Sequence, residues 1–224
     1  DICQRCHLQG NTVLKPRKSY FDFKPGMYLD SVMTVFLPRY QNSDQQFIMA
    51  SHVDRFKLSK CFMAGEGSFG CTSCHNPHVS VRETNHDTFN ATCKNCHSEA
   101  KKAMMCNRVI EDLDENDCVK CHMPKSGSID IPHVTVHDHF IRVPEENTVE
   151  KEKGNFLGLA AINTKKPNKR SQIIAYLQQF ERFEQNPIFL DSATVLLKQQ
   201  KSTEYWQEWV HLFYLQDSPS GIVG

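Results

Sequence analysis

The sequence lacks a long hydrophobic run. Within its 224 residues, no stretch of about 18 consecutive apolar residues occurs, so no segment is predicted to form a membrane-spanning helix. An excess of either charge is also missing, because Lys+Arg and Asp+Glu number 26 each. Such a balance argues against nucleic acid or an anionic membrane surface as a partner.

Apolar side chains are few. They make up 39% of the chain, which is low for a domain that must build its core from side chains alone. A bound group is therefore expected to supply part of the core. A phosphate-binding loop is missing as well, since the glycine-rich segment 65–70 is too short and lacks the Lys-Ser/Thr ending.

Cysteine, in contrast, is plentiful. Eight of the ten cysteines fall in four copies of Cys-x-x-Cys-His. In this motif both thiols add across the vinyl groups of a haem, and the adjacent histidine binds the iron. One copy could be half of a zinc site, but four copies that each end in histidine predict four covalently attached haems c. The attaching cysteines are Cys3, Cys6, Cys71, Cys74, Cys93, Cys96, Cys118 and Cys121, and the proximal iron ligands are His7, His75, His97 and His122.

Covalent haem has consequences for where the protein matures. Haem c is attached outside the cytoplasm, so we expect the protein to be exported before haem attachment. The sequence opens at Asp1 without an export signal, which is then expected to have been removed. A start directly on a haem motif favours a processed product or a fragment of a longer multihaem protein.

The motifs are unevenly spread along the chain. Three of them lie within residues 71–122 with short gaps between them, so their haems are expected to be neighbours. We predict a mainly α fold with long loops. It consists of a tetrahaem cytochrome c domain over residues 1–143 packed around its haems, a linker over 144–168, and a helical-hairpin tail over 169–224.

Local patterns predict individual elements. The β-branched and aromatic run 31–37 predicts a short strand or an extended arm that stops at Pro38. A helix is expected from residue 43 or 44 to about residue 63, with His52 on its buried face. The two cysteines outside the motifs, Cys61 and Cys106, are expected to form a disulfide in an oxidising compartment. Two buried free thiols are the alternative.

The tail changes character. Apolar residues recur there at helical spacing, and Asn186-Pro187 is expected to end the first of three helices. The second is predicted over 188–199 and the third over 203–215. Antiparallel helix pairs of this length are typical of tetratricopeptide repeats. A helical cap folded over the haem domain is the open alternative.

The sixth ligand of each iron decides the chemistry. A second histidine closes the haem for electron transfer, whereas an open position can bind a small molecule. Seven histidines remain beside the proximal ones, which is enough to close all four sites. The predicted distal ligands are His52, His78, His133 and His139, with His137 as a possible substitute for either of the last two. His78 follows His75 by three residues and is therefore expected to serve a neighbouring haem.

The motifs with their surroundings resemble a known family. Cys-x-x-Cys-His-Asn-Pro-His at 71–78, Cys-His-Met-Pro at 121–124 and Ile-Pro-His with His-Asp-His-Phe-Ile-Arg at 131–142 are similar to multihaem cytochromes c. The related proteins are the tetrahaem cytochrome of nitrifying bacteria and the hydroxylamine-oxidoreductase-like class, and more narrowly a bacterial subgroup whose haem domain runs into tetratricopeptide repeats. The resemblance implies a mostly helical, haem-stacked fold, bis-histidine ligation, and a location in the periplasm or at the cell surface of a bacterium. That family carries further haem motifs upstream, which leaves the sixth ligand of the His7 haem open.

Electron transfer is the leading functional hypothesis. Closely spaced haems would pass single electrons between redox proteins or further haem domains, and the tail would dock a partner. No catalytic residue is predicted. The alternative is a multihaem oxidoreductase in which one open haem acts on a small nitrogen or sulfur compound. The lysine that replaces the motif histidine in some catalytic relatives is missing, because no Cys-x-x-Cys-Lys occurs.

Overall fold

The computed structural model describes residues 2–41, 51–98, 117–127, 133–144 and 154–218. Contacts between residues divide the chain into two compact units. The first, which we call the split unit, consists of residues 1–43 and 153–224. The second, the central unit, consists of residues 44–152 and contains three of the four haem motifs.

Helices and short strands alternate along the described residues. The helices are α1 (Gln4–His7), α2 (His52–Lys57), α3 (Lys60–Ala64), α4 (His86–Lys94), α5 (Cys118–His122), α6 (Lys169–Arg182), α7 (Pro187–Lys198) and α8 (Trp206–Leu215). The strands are β1 (Asn11–Leu14), β2 (Met33–Tyr40), β3 (Lys125–Gly127), β4 (Thr135–His137) and β5 (Phe156–Ala161). The fold is thus rich in helix, as predicted, but it also contains two antiparallel sheets that the sequence did not predict. None of the described helices is long and apolar enough to cross a membrane.

Strand β2 is the centre of the sheet in the split unit, with β1 and β5 antiparallel on either side. The backbone of Val35 bonds toward β5, since its N–H donates to Asn163 Oδ1 at 2.9 Å and its carbonyl accepts the Ile162 N–H. The backbone N–H and C=O groups of successive residues point to opposite edges of a strand. The backbone of Pro38 therefore points to the β1 edge, but the pairing with β1 ends at Phe36. The missing N–H of Pro38 thus costs no ladder hydrogen bond. The strand therefore does not stop at Pro38 but continues to Tyr40.

Strand β5 lies within the stretch that the sequence predicted to be a linker. It pairs with β2, and its first aromatic ring packs edge-on against rings of β2 and α7. The stretch 144–168 is therefore not only a linker, because part of it pairs with β2 and packs against aromatic rings. The compact units also differ from the predicted division into 1–143 and 169–224, since the N-terminal strands associate with the tail.

The three helices predicted for the tail are confirmed as α6, α7 and α8. The side chains of Asn168 and Asn186 cap α6 and α7 by accepting the N–H two residues ahead, at 2.8 and 3.1 Å. Pro187 occupies the first turn of α7, where its missing N–H costs nothing. The helices share an apolar core that contains Ile173, Leu177, Leu190, Ala193, Leu197 and Leu212.

Helix α6 connects this core to the sheet of the split unit. Its buried Ala175 packs against Val13 of β1 and Phe36 of β2. Asn11, at the start of β1, donates from Nδ2 to the Ala175 carbonyl at 2.7 Å. The segment that directly follows the first haem motif is therefore anchored by the helical tail.

In the central unit, the single helix predicted up to residue 63 is replaced by two short ones. Helix α2 ends at Lys57, and Ser59 has an extended backbone with φ −71° and ψ 135° before α3 begins. The Ser59 hydroxyl donates to the His139 carbonyl at 2.9 Å and accepts the Ile141 N–H at 2.8 Å. These bonds hold Ser59 out of a helix, which explains the break. The N-terminal part of the predicted helix lies outside the described residues.

The histidine-rich segment that was predicted as a loop contains a short strand. Strand β4 pairs antiparallel with β3, which places Lys125 opposite His137. After β4 the chain runs back along the fourth haem motif, where the Arg142 N–H donates to the His122 carbonyl at 3.3 Å. The hairpin thus holds the end of this segment beside α5.

Candidate haem sites

Each Cys-x-x-Cys-His motif folds as one helical turn. In the first three motifs the N–H of the histidine donates to the carbonyl of the first cysteine at 2.9 Å, and the fourth motif is α5 itself. Residues at i, i+3 and i+4 share one face of a helix, so the turn directs both thiols and the imidazole to the same side. A haem that is held by two thioethers and ligated from one side needs this arrangement.

Each of the eight thiols that would attach haem lies within the described residues, and none of them is in a disulfide. None of the eight is buried, and three of them are exposed. Burial, and after it the neighbouring thiols of Cys118 and Cys74, raise the pKa of Cys93 to about 11. The thiols of different motifs therefore lie close enough to influence one another.

The third and fourth motifs lie side by side. The thiols of Cys93 and Cys118 are in hydrogen-bond contact. Asn90 of α4 accepts the Val119 N–H of α5 on Oδ1 at 3.2 Å. Two haem attachment points are thus brought together, in agreement with the short gap between these motifs in the sequence.

Cys61 lies among the attaching thiols. It is a half-buried thiol in α3. Its proximity helps to raise the pKa of both Cys74 and Cys93, after the larger effect of burial. The disulfide predicted between Cys61 and Cys106 stays a prediction. Cys106 itself lies outside the described residues.

Three histidines share one hydrogen-bonding arrangement. The Nδ1 atom of His122 lies 2.9 Å from the carbonyl oxygen of Arg142. In the same way, His137 Nδ1 lies 2.8 Å from the Met123 carbonyl oxygen, and His139 Nδ1 lies 2.9 Å from the His137 carbonyl oxygen. A carbonyl oxygen can only accept, so each ring carries its proton on Nδ1 and keeps the lone pair of Nε2 available. Metal-bound histidines are commonly oriented in this way. The donor set therefore fits the iron of a haem.

His139 forms a cluster with two other candidate ligands, and we call His52, His75 and His139 the histidine cluster. The ring centre of His139 lies 4.4 Å from that of His52 and 6.2 Å from that of His75. Burial, and after it the proximity of His52, lower the pKa of His139 to about 4. The ring is therefore neutral at physiological pH, the state in which imidazole binds a metal.

The other predicted ligands are more exposed. His78 lies in a turn where its own N–H donates to Asn76 Oδ1 at 3.0 Å. His133 is exposed and has a positive φ of 65°, so it precedes β4 without joining it. The proximal His7 and His97 are exposed as well. These four imidazoles are accessible to a haem that would cover them.

Three polar residues that hold the histidine cluster in place were not predicted. Arg55 and Ser59 contact the segment that carries His139, and Asp138 belongs to that segment. The position of Asp138 between two histidines was the one signal available in the sequence. Arg55 lies 83 residues away along the chain, so no local pattern connects the two.

Comparison with known proteins agrees with this chemistry. Residues 63–102, which contain the second and third motifs, match the family described as "Doubled CXXCH motif". No curated protein matches the chain, and no solved structure does. The paired motif indicates a multihaem c-type cytochrome with covalently bound haem c. The narrower resemblance to the hydroxylamine-oxidoreductase-like class stays a prediction.

Proposed function

We propose that this protein transfers electrons through four closely spaced haems c, one on each motif, with a second histidine on most of the irons. Bound haem supplies the one-electron ferric/ferrous couple. The residues of the chain attach it, ligate it and hold the ligands in position. The observation that carries the proposal is the orientation of His137 and His139, which belong to no haem motif yet present Nε2 as ligands do.

His75 and His139 are the two imidazoles that would hold one haem iron between them, because the separation of their rings suits this role. Two imidazoles on opposite sides of one iron have ring centres roughly 6 Å apart, given metal–nitrogen bonds of about 2.0–2.1 Å and roughly 1 Å from nitrogen to ring centre. The separation here is 6.2 Å. The 4.4 Å between His52 and His139 leaves no room for an iron, so His52 would serve a different haem. The remaining distal candidates are His78, His133 and His137.

The helical tail is the proposed docking region for a redox partner, of the tetratricopeptide type. Trp206, Val210 and Tyr214 recur every four residues on α8 and are 59%, 39% and 71% exposed. An exposed apolar stripe of this kind suits a protein interface. Attachment of haem c takes place outside the cytoplasm, so the proposed location is the periplasm or the cell surface.

A second candidate function, a small-molecule oxidoreductase, depends on the first motif. The split unit contains two histidines in its sequence, His7 and His211. His211 lies 3.5 Å from a carboxylate oxygen of Glu181 through Nε2, the atom that would otherwise bind iron. The split unit therefore offers the His7 haem no obvious second imidazole, and an open haem there could bind a small nitrogen or sulfur compound.

Spectroscopy of the full-length holoprotein tests both functions. The electron-transfer proposal predicts four haems per chain in a haemochromogen assay and low-spin signals for the irons of the central unit in electron paramagnetic resonance. Fewer than four haems would contradict the haem assignment. A high-spin haem that binds cyanide or nitrite would favour the oxidoreductase. If that signal disappears when Cys3 and Cys6 are both replaced by alanine, the open site is the first haem.

A further inference from the structure

A buried ion pair anchors the segment that carries His139. The Arg55 guanidinium donates from Nε to Asp138 Oδ1 at 2.9 Å and from an Nη atom to Oδ2 at 2.7 Å. The two side chains are 5% and 4% exposed. A buried pair adds little net stability over an apolar one, because both charges must be desolvated. Its bidentate geometry fixes direction, which suggests a role in orientation.

The pair belongs to a larger set of bonds between α2 with its C-terminal turn and the segment 138–141. Asp138 Oδ1 also accepts the Phe140 N–H at 3.0 Å. Ser59 bonds the backbone of His139 and Ile141, as described above. Residues on either side of His139 are thus fixed to α2, which also carries His52, and to the turn that follows it.

We propose that Arg55, acting through Asp138, is a positioning residue that aims the Nε2 atom of His139 at the iron of the His75 haem. The Nδ1 atom of His139 is held by the His137 carbonyl, and Asp138 is the residue between the two. Fixing its carboxylate therefore fixes the peptide that orients the ring. This inference rests on the proposed ligation by His139.

Conservative variants of the Arg55–Asp138 pair distinguish a role in orienting His139 from a role of the charge alone or a role in folding. Arg55→Lys keeps the positive charge but loses the planar fork that binds both carboxylate oxygens. Asp138→Asn keeps an oxygen that can accept the Phe140 N–H but loses the charge. Arg82→Lys, at an exposed position of the central unit, is the matched control. His139→Ala gives the reference spectrum for loss of this ligand.

The experiment measures haem content, spin state and reduction potentials of each full-length holoprotein. We expect Arg55→Lys and Asp138→Asn to retain the wild-type number of haems and to gain high-spin iron equal to one haem per chain, as His139→Ala does. Added imidazole should restore the low-spin spectrum in all three. The potential of one haem should shift, while Arg82→Lys matches the wild type.

Two outcomes would overturn the positioning role. In the first, His139→Ala gains a high-spin haem, but Arg55→Lys and Asp138→Asn do not. His139 would then still be a ligand, but Arg55 would have no role in positioning it. In the second, both pair variants lose covalent haem, which would make the pair a requirement for folding. If His139→Ala itself stays low-spin, the ligation by His139 fails, and this result is distinguishable from the other two.

Discussion

Leu177→Ala is predicted to destabilise the split unit selectively. Leu177 lies in α6, is fully buried and packs in the core shared with α7 and α8. The substitution removes three carbons, worth about 2.4 kcal/mol at roughly 0.8 kcal/mol per buried methylene. A residual cavity adds to this, and leucine-to-alanine changes in cores cost about 2–5 kcal/mol. We therefore expect a loss of about 3 kcal/mol, or a melting temperature about 10 °C lower for a unit of this size.

The position of the tryptophans makes the assay specific. Both tryptophans of the chain, Trp206 and Trp209, lie in α8, so their emission reports on the split unit. Val195→Ala, at an exposed position of α7, is the control and should shift the melting temperature by less than about 2 °C. Amide exchange in β1 should accelerate together with exchange in α6, because Ala175 packs on Val13.

Two results would refute this reasoning. An unchanged emission transition would mean that Leu177 is not in the core of the tail. A lowered transition with unchanged exchange in β1 would mean that β1 does not belong to the split unit. In that case the boundary near residue 143 predicted from the sequence would be the better division of the chain.

Three shorter predictions concern the central unit. Ser59→Ala should lower the free energy of unfolding by about 1–2 kcal/mol in denaturant titrations, since the Ile141 N–H loses its acceptor; an unchanged midpoint would contradict this bond. Because burial lowers the pKa of His139 to about 4, the unfolded chain binds more protons between pH 6.5 and 4. Stability should therefore fall by roughly 3 kcal/mol as the pH drops through this window, whereas a flat profile would argue against burial. Cys61 should be alkylated in denatured, non-reduced holoprotein, and protection of its thiol would support the disulfide with Cys106.

The sequence predicted the features that depend on local chemistry. The local shape of the haem motifs follows from fixed spacing, since the five residues of Cys-x-x-Cys-His form one helical turn that places two thiols and an imidazole together. The tail helices follow from apolar periodicity and from Asn186-Pro187, which ends one helix and caps the next. Strand β2 follows from its β-branched residues, although Pro38 gave the wrong end. In each case the signal lies within a few neighbouring residues.

Features that depend on distant contacts could not be predicted. The sequence of β5, Phe-Leu-Gly-Leu-Ala-Ala, lacks β-branched residues, and only its partner β2 makes it a strand. The helix up to residue 63 is interrupted because Ser59 bonds a segment 80 residues away. The proposal favours His137 and His139 over His133 as distal ligands because their Nδ1 atoms bond to carbonyl oxygens. These bonds could not be predicted from the spacing of the histidines.

The four haem motifs have unequal supplies of ligands. The central unit contains three motifs and six further histidines, whereas the split unit contains one motif and only His211 beside it. If each motif of the central unit holds a haem, the histidines of that unit are enough to close all three irons. The His7 iron needs His211, a donor from elsewhere, or an open position. Because closed irons suit electron transfer and open ones suit small-molecule chemistry, the two candidate functions apply to different units. The histidine supply of the central unit therefore favours the proposed electron transfer, whereas the alternative chemistry would require an open haem on the first motif.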